Sequence, residues 1–368
     1  MTTFLEPAPA HLVVPEVDGL KQEVGRLFQI HDITVINENQ IQFRGRLLVD
    51  SEVAYDRLYQ RLQPFHFVPF FRRDGNDHVI VLARGELPKA RARVGLALVL
   101  FLSTVLSVLF VGIAQSDGRT WLEVALDAGF FTATLIVILA AHEFGHYIVS
   151  RYYNTPVSLP YFIPAPFFLF GTMGAVIRMV APPRNRRQWL HIAAAGPLAG
   201  LLFAIPLTFI GLLLSPVEPL PPGGGYIMEG NSILYLLLKF VAFGRFLPSN
   251  GEDVFLHPMA WAGWGGLLVT AMNLIPAAQL DGGHVARALL GHKGGRWLTH
   301  GVIVGLLLLG IVWQGWILWA AIIFLFSRAE VEPLDDITEP TQADRILAAV
   351  MLLVFVLLFT PVPLKVVV

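Results

Sequence analysis

From Val94 onward the chain carries one apolar stretch after another, several of them long enough to approach the ~30 Å hydrocarbon core of a bilayer. The first runs from Val94 to about Ala114 and the second from about Leu122 to Val149. A third spans about Trp189 to Leu214, a fourth about Met259 to Ile275, and the last run is Ile346 to Leu358. Leu298 to Phe326 is divided by Trp313-Gln314-Gly315-Trp316, so it reads either as one long tilted helix or as a tight hairpin. Backbone inside hydrocarbon must satisfy its own polar groups, which makes these stretches helices. With 55% hydrophobic and only 14% charged residues, the chain lies outside the range of ordinary soluble proteins. The expected class is a polytopic α-helical membrane protein.

Charge is spread unevenly. Residues 1–92 hold 23 of the 53 charged side chains, which marks them as a small soluble domain ahead of a membrane domain over residues 93–361. Within the first part, Ile41 to Val49 reads as a strand and Ser51 opens a helix through about Leu62. Phe67 to Arg72 and His78 to Ala83 flank Asp74-Gly75-Asn76-Asp77 as a hairpin, so an α+β module is expected. It carries no ligand cluster and reads as a platform or a docking module whose partner is unknown. The first twenty residues show no basic segment followed by a continuous apolar run, so no cleavable leader is expected.

Lys89, Arg91 and Arg93 immediately precede the first span, which by the positive-inside bias puts the N-terminal domain in the cytoplasm. The second span then runs inward to Arg151, the third starts after Arg184, Arg186 and Arg187, and the fourth runs inward toward Arg287, Lys293 and Arg296. Spans two and four are therefore parallel, and polar residues near their inner ends can meet at similar depth. The three arginines before the third span read as topology determinants that also attract anionic lipid. The expected location is a cell membrane, crossed several times.

His142-Glu143-Phe144-Gly145-His146 falls inside the second span. Histidines four residues apart share one helical face and can both reach a metal ion, with the glutamate beside them to handle protons. Insertion scales charge about 2.5 to 3.5 kcal/mol for a charged side chain at the centre of a span, so such groups face the protein interior and carry a function. The chain has no cysteine, so any zinc must be held by His and carboxylates. A catalytic zinc takes three protein ligands, and the third is assigned to Asp281. It ends Asn273-Leu274-Ile275-Pro276-Ala277-Ala278-Gln279-Leu280-Asp281-Gly282-Gly283, where Pro276 should stop the helix and the glycines permit a sharp turn. Irregular backbone at that depth belongs in a buried or wet site. Nucleic acid is excluded as a partner, since a net charge of -1 leaves no basic surplus to displace phosphate counterions.

These two segments, His142-Glu143-x-x-His146 and Asn273-x-x-Pro276-x-x-x-Leu280-Asp281-Gly282, resemble the paired signature motifs of the site-2 protease family of intramembrane metalloproteases. Phe170-Gly171-Thr172-Met173-Gly174-Ala175 and Gly196-Pro197-Leu198-Ala199-Gly200 are similar to that family's membrane-associated hairpin and the opening of its third core helix. With Leu334-Asp335-Asp336-Ile337-Thr338, they look most like the branch containing the chloroplast gravitropism-deficient, yellow-green proteases and their bacterial relatives. The resemblance implies a three-helix zinc protease core over about residues 121–152, 189–214 and 259–290. It implies one zinc per chain on His142, His146 and Asp281, with Glu143 activating the attacking water. It further implies that Asn273 positions substrate or stabilises an oxyanion, and that the substrates are transmembrane proteins cut within or near the bilayer. Residues 156–183, too proline-rich to span, should form a re-entrant hairpin from the cytoplasmic side whose edge pairs with substrate backbone.

His284 stands where many members of that family carry arginine, and it reads as structural or surface-facing rather than as a fourth ligand, which would close the site to water. His191 reads as an interfacial residue, and Trp313, Trp316 and Trp319 as interface or packing residues. A metal carrier is the competing reading, but neither motif has the second copy that an internally repeated transporter carries. A catalytically dead relative is disfavoured because every proposed ligand and Glu143 are present.

Overall fold

The computed structural model describes residues 5, 14–90, 92–221, 223, 225–327 and 332–367. Arg91 and most of the first thirteen residues, where no leader is expected, lie outside them. At the N-terminus, helix α1 (Val14–Gly25) and strands β1 (Phe28–Asn37) and β2 (Gln40–Leu47) precede helix α2 (Ser51–Leu62), and β3 (Phe67–Asp74) and β4 (Asp77–Arg84) follow as a hairpin. The strands form one antiparallel sheet in the order β1-β2-β4-β3, with Phe70 opposite Val81 and Phe71 opposite Ile80. Helix α2 starts where the Asp50 carboxylate accepts hydrogen bonds from the Glu52 and Val53 amides. Its Ala54, Tyr55, Leu58 and Leu62 recur at helical spacing and bury against the sheet with Leu20, Val24, Phe43 and Phe71. The strand, helix and hairpin foreseen from sequence are all present. Strand β1 is not foreseen because it is an edge strand with most residues exposed or half-exposed, which erases the apolar alternation that announces a strand.

Among the described residues, three helices are long and apolar enough to cross a membrane: α3 (Val94–Ala114), α4 (Trp121–Tyr152) and α5 (Arg186–Leu213). A capping box between Thr120 and Glu123 starts α4, and Asn185 caps α5 by accepting from the Gln188 amide at 2.9 Å. Between them, β5 (Tyr161–Pro164) and β6 (Thr172–Val176) pair as an antiparallel hairpin. The hairpin leans on α3, where Ser107 donates to the Gly171 carbonyl at 2.6 Å and Phe101 meets the Phe162 ring edge-on. Short strands β7 (Val217–Pro219) and β8 (Tyr226–Glu229), helix α6 (Ile233–Phe243) and strand β9 (Glu252–Val254) then lead into α7 (Pro258–Asn273).

The fourth core segment, about residues 259–290, is broken near Pro276, where its sequence predicts that regular helix stops. Helix α7 ends at Asn273 after 16 residues, and a new helix, α8 (Asp281–Leu309), begins at Asp281. Pro276 has no amide hydrogen to donate, so the α7 ladder cannot continue through it. The Leu298–Phe326 region resolves as a hairpin: α8 turns back into α9 (Gly315–Phe326), with Trp316 buried and its indole N–H donating to the Pro361 carbonyl at 2.7 Å. Helix α10 (Gln342–Leu358) and strand β10 (Leu364–Val367), paired with β8, complete the chain.

The stretch before α10 returns to the N-terminal sheet. The Phe71 amide donates to the Leu334 carbonyl and the Asp336 amide to the Phe71 carbonyl, while Leu334 and Asp335 donate to the carbonyls of Pro183 and Arg184. Asp335, wholly buried, accepts from Ser51 Oγ, the Ile337 and Thr338 amides and Thr338 Oγ1. Around this clasp Arg184 pairs with Asp56, Arg186 with Asp336, and Arg187 with both Glu52 and Asp344. These arginines are therefore engaged by carboxylates within the chain, which corrects the expectation that they attract lipid headgroups. His191 belongs to the same network. Tyr153, the residue that follows α4, donates to its Nδ1 at 2.6 Å, and its Nε2 donates to Asp344 at 2.7 Å, tying the end of α4 to α5 and α10.

Asp344 sits at the polar start of α10, ahead of its apolar run. Burial opposes its charged form, but hydrogen bonds from Thr341, His191 and Arg187 outweigh that and hold its carboxyl at about 2. A carboxyl depressed in the folded state adds stability that is fully present above its unfolded value of about 3.9 and is lost as the pH falls through the folded value. Thermal unfolding between pH 5 and pH 2.5 should show a steeper loss for the wild type than for Asp344→Asn, and parallel losses would contradict the assignment.

Candidate metal centre

Helical spacing puts His142 and His146 on one face of α4, one turn apart, and that face looks toward the start of α8. His142 Nε2 and His146 Nε2 are 3.2 Å apart, and Asp281 Oδ2 is 3.2 Å from the first and 3.3 Å from the second. Among the described residues, these three make up the one group of His and acidic side chains whose donor atoms converge this way. Three donors on a tetrahedral zinc at roughly 2.0–2.1 Å lie about 3.3 Å from one another, so the spacing fits that ion. The donor chemistry fits as well. His146 Nδ1 donates to the Ile192 carbonyl at 2.7 Å, which leaves its Nε2 lone pair facing the other two donors. The set has two imidazole nitrogens, one carboxylate oxygen and, among the described residues, no fourth protein donor, which leaves room for water and substrate.

Asp281 is delivered by the break between α7 and α8. Ala278 adopts left-handed backbone (φ 51), its amide donates to Thr299 Oγ1 at 3.1 Å, and Arg287 donates to its carbonyl, so α8 holds its own leading loop. A β-carbon on Gly282 would lie 2.0 Å from the Leu274 carbonyl oxygen. The Leu-Asp-Gly-Gly sequence is therefore the close approach that brings Asp281 against α7. As the first residue of α8, its carboxylate also sits at the positive end of the helix dipole.

Glu143 is 8% exposed and lines a cavity of about 290 Å³ together with all three donors. Asn273, at the end of α7, lines it too, with its side-chain nitrogen 3.4 Å from His142 Nε2. Ala175, Val176 and Ile177, from β6 and the residue after it, form the facing wall. His284 is not surface-facing, a correction to one of its two expected placements. It lines the same cavity outside the ligand cluster, packed on Trp189 with ring centroids 5.1 Å apart. His191 stands apart from the cluster, in the Asp344 network described above.

The residues not singled out as functional are the spacers. A β-carbon at Gly196 would fall 2.1 Å from His146 Nε2, and one at Gly145 would fall 2.5 Å from the Ala195 carbonyl oxygen. Gly-Pro-Leu-Ala-Gly at 196–200 is thus a groove in α5 that accommodates α4 and its imidazoles, a small-residue contact of the kind membrane helices use. The glycine spacing was visible in the sequence, but nothing there tied it to His146.

An HExxH pair joined by a carboxylate from another helix, set among apolar helices, is the arrangement of a membrane metalloprotease. Residues 130–312 match peptidase family M50, and the chain belongs to this family of site-2 proteases. It is 31% identical over 248 residues to the probable chloroplastic zinc metalloprotease EGY2 of Oryza sativa subsp. indica, covering 66% of this chain and 44% of that protein. It is 30% identical over 348 residues to Arabidopsis thaliana EGY2 (89% of this chain, 61% of that one), and 28% identical over 298 residues to Arabidopsis EGY1 (73% and 53%). The chain thus spans 44% to 61% of the length of these curated relatives. No solved structure matches it.

Gly196→Ala tests the spacer directly. One methyl group should displace the His146 ring and lower zinc affinity by about 10- to 100-fold, read by metal analysis after dialysis, while Ala199→Gly on the same helix should retain metal.

Proposed function

We propose that this chain is a zinc-dependent intramembrane endopeptidase that hydrolyses peptide bonds within or near the transmembrane segments of other membrane proteins. The observation that carries the reading is the convergence of His142, His146 and Asp281 at zinc spacing, with Glu143 in the same cavity and apolar helices around them. In this reading the three side chains hold one zinc per chain. When bound, zinc supplies Lewis acidity, polarising the scissile carbonyl and acidifying the attacking water. Glu143 takes that water's proton on its carboxylate and delivers it to the leaving nitrogen. The Asn273 carboxamide, on the rim of the cavity, orients substrate or hydrogen-bonds the carbonyl oxygen as it gains charge.

A peptide bond inside a helix is shielded by its own hydrogen bonds and side chains. β6 pairs with β5 along one edge, and its Ala175 and Val176 face the cavity, so an unwound substrate segment added along β6 would carry its scissile carbonyl past Glu143. The 156–183 hairpin then acts as a re-entrant element that holds substrate extended. The N-terminal domain, residues 1–92, lies on the side of Lys89, Arg91 and Arg93, the cytoplasmic face of a cell membrane. The relatives carry "chloroplastic" in their names.

Purified protein should contain about one zinc and cut a transmembrane substrate in proteoliposomes. Glu143→Gln should keep the zinc and lose about 10²- to 10⁴-fold in kcat, and Asp281→Ala should lose the metal itself. A Glu143→Gln variant that cuts as well as wild type, or a wild type without zinc, would sink the reading.

A further inference from the structure

Irregular backbone buried among membrane helices has to find partners for its own amides and carbonyls, because hydrocarbon supplies none. The link from Asn273 to Asp281 is such a segment. At its bend Ala278 is buried and left-handed, and both of its backbone groups are taken by side chains of α8. Its amide donates to Thr299 Oγ1 at 3.1 Å, and its carbonyl accepts from the Arg287 guanidinium. The Thr299 hydroxyl spends its own proton on the Gly295 carbonyl at 2.9 Å, which leaves a lone pair for Ala278. Thr299 and Arg287 are themselves buried, and neither lines the metal-site cavity, so neither is placed to touch metal or substrate.

Thr299 lies 18 residues past Asp281 along α8. A straight helix rises 1.5 Å per residue and would carry Thr299 about 27 Å beyond Asp281, whereas Ala278, three residues before Asp281, lies within about 11 Å of it. The bond forms because α8 breaks at Gly291, whose φ of 70 and ψ of -178 are closed to most side chains, and returns. On the returning half Gly295 packs against Arg287, where a β-carbon would lie 2.3 Å from Arg287 Cγ. The second half of α8 therefore supplies Thr299 and walls in the Arg287 stem.

We infer that Thr299 and Arg287 are positioning residues for the metal centre. Holding the Ala278 peptide from both sides, they fix where α8 begins and so where its first residue, Asp281, presents its carboxylate. The inference rests on the zinc reading of that site. His142 and His146 share one helix and keep their register without help, but Asp281 comes from another element, delivered by a link with no helix or strand of its own. Its Oδ2 stands 3.2 and 3.3 Å from the two imidazole nitrogens, and metal–ligand distances tolerate only about 0.2 Å of error, so slack at Ala278 is felt at the ion.

The test is the zinc affinity of full-length protein in detergent, read by competition with a chelator. Thr299→Val, equal in shape but without the hydroxyl, should weaken zinc binding by about 10- to 100-fold, and Thr299→Ser should restore it to within about threefold. Arg287→Lys, which keeps the charge and loses the planar fork, should weaken it in the same direction. Made in Asp281→Asn, titrated directly with zinc, either weakening substitution should change affinity by less than about threefold, because the carboxylate through which the clamp acts is gone. A folded Thr299→Val or Arg287→Lys that binds zinc as tightly as wild type overturns the positioning role. So does a loss as large in the Asp281→Asn background as in wild type, which would mean that the damage reaches the histidines. Loss of fold in one of the two variants leaves the other to decide by the same comparison. A wild type that takes up no zinc overturns the zinc reading instead, and the clamp with it.

Discussion

Two imidazoles and a carboxylate lie within 3.3 Å of one another among helices apolar enough to cross a bilayer. Groups of this kind inside a membrane protein persist only when they are paired or bind an ion, because hydrocarbon offers them no solvation. Much of the surrounding architecture serves that meeting. Helix α4 supplies both histidines in one register, α5 yields a groove at Gly196 so that His146 fits, and Ile192 fixes the His146 ring through its carbonyl. The break after Asn273 then lets a new helix begin with Asp281 at the right place. A continuous helix through this region would leave Asp281 to whichever face the helical period dictated, with no irregular backbone to aim it.

The second organising contact lies at the other end of the molecule's logic, where the N-terminal sheet meets the helices. Asp335 is the post: one buried carboxylate gathers Ser51 from the N-terminal region and the backbone of its own turn, while its amide reaches the segment that leads into α5. Arg184, Arg186 and Arg187 surround it with ion pairs, several half-buried, where screening is weaker than at an open surface. Helix α5 carries the Gly196 groove, so the sheet, the clasp and the metal-site scaffold are mechanically continuous through its first turns.

The proposed ligands are legible in the sequence because their signal is local. Histidines four apart need only the helical period to be placed together, and Pro276 with Gly282 and Gly283 announces a break wherever it occurs. The α2 helix and the β3–β4 hairpin are legible for the same reason, through Asp50 as a cap and Asp74–Asp77 as a turn. What cannot be read that way depends on partners distant in the chain. Gly196 has no meaning until His146 lies over it, Asp335 none until Ser51 and Phe71 reach it, and the arginines before α5 look lipid-directed until Asp56, Asp336 and Asp344 claim them. Strand β1 escapes because an exposed edge carries no alternation, and His284 reads equally well as surface or wall until Trp189 stacks on it.

The central claim is that His142, His146 and Asp281 share one ion, and X-ray absorption at the zinc edge of the purified protein tests it most directly. The account predicts one zinc per chain in a shell of nitrogen and oxygen at about 2.0–2.1 Å, fitted by two imidazoles, with one imidazole lost in His146→Ala. A shell with no imidazole, or one unchanged by that substitution, would contradict it.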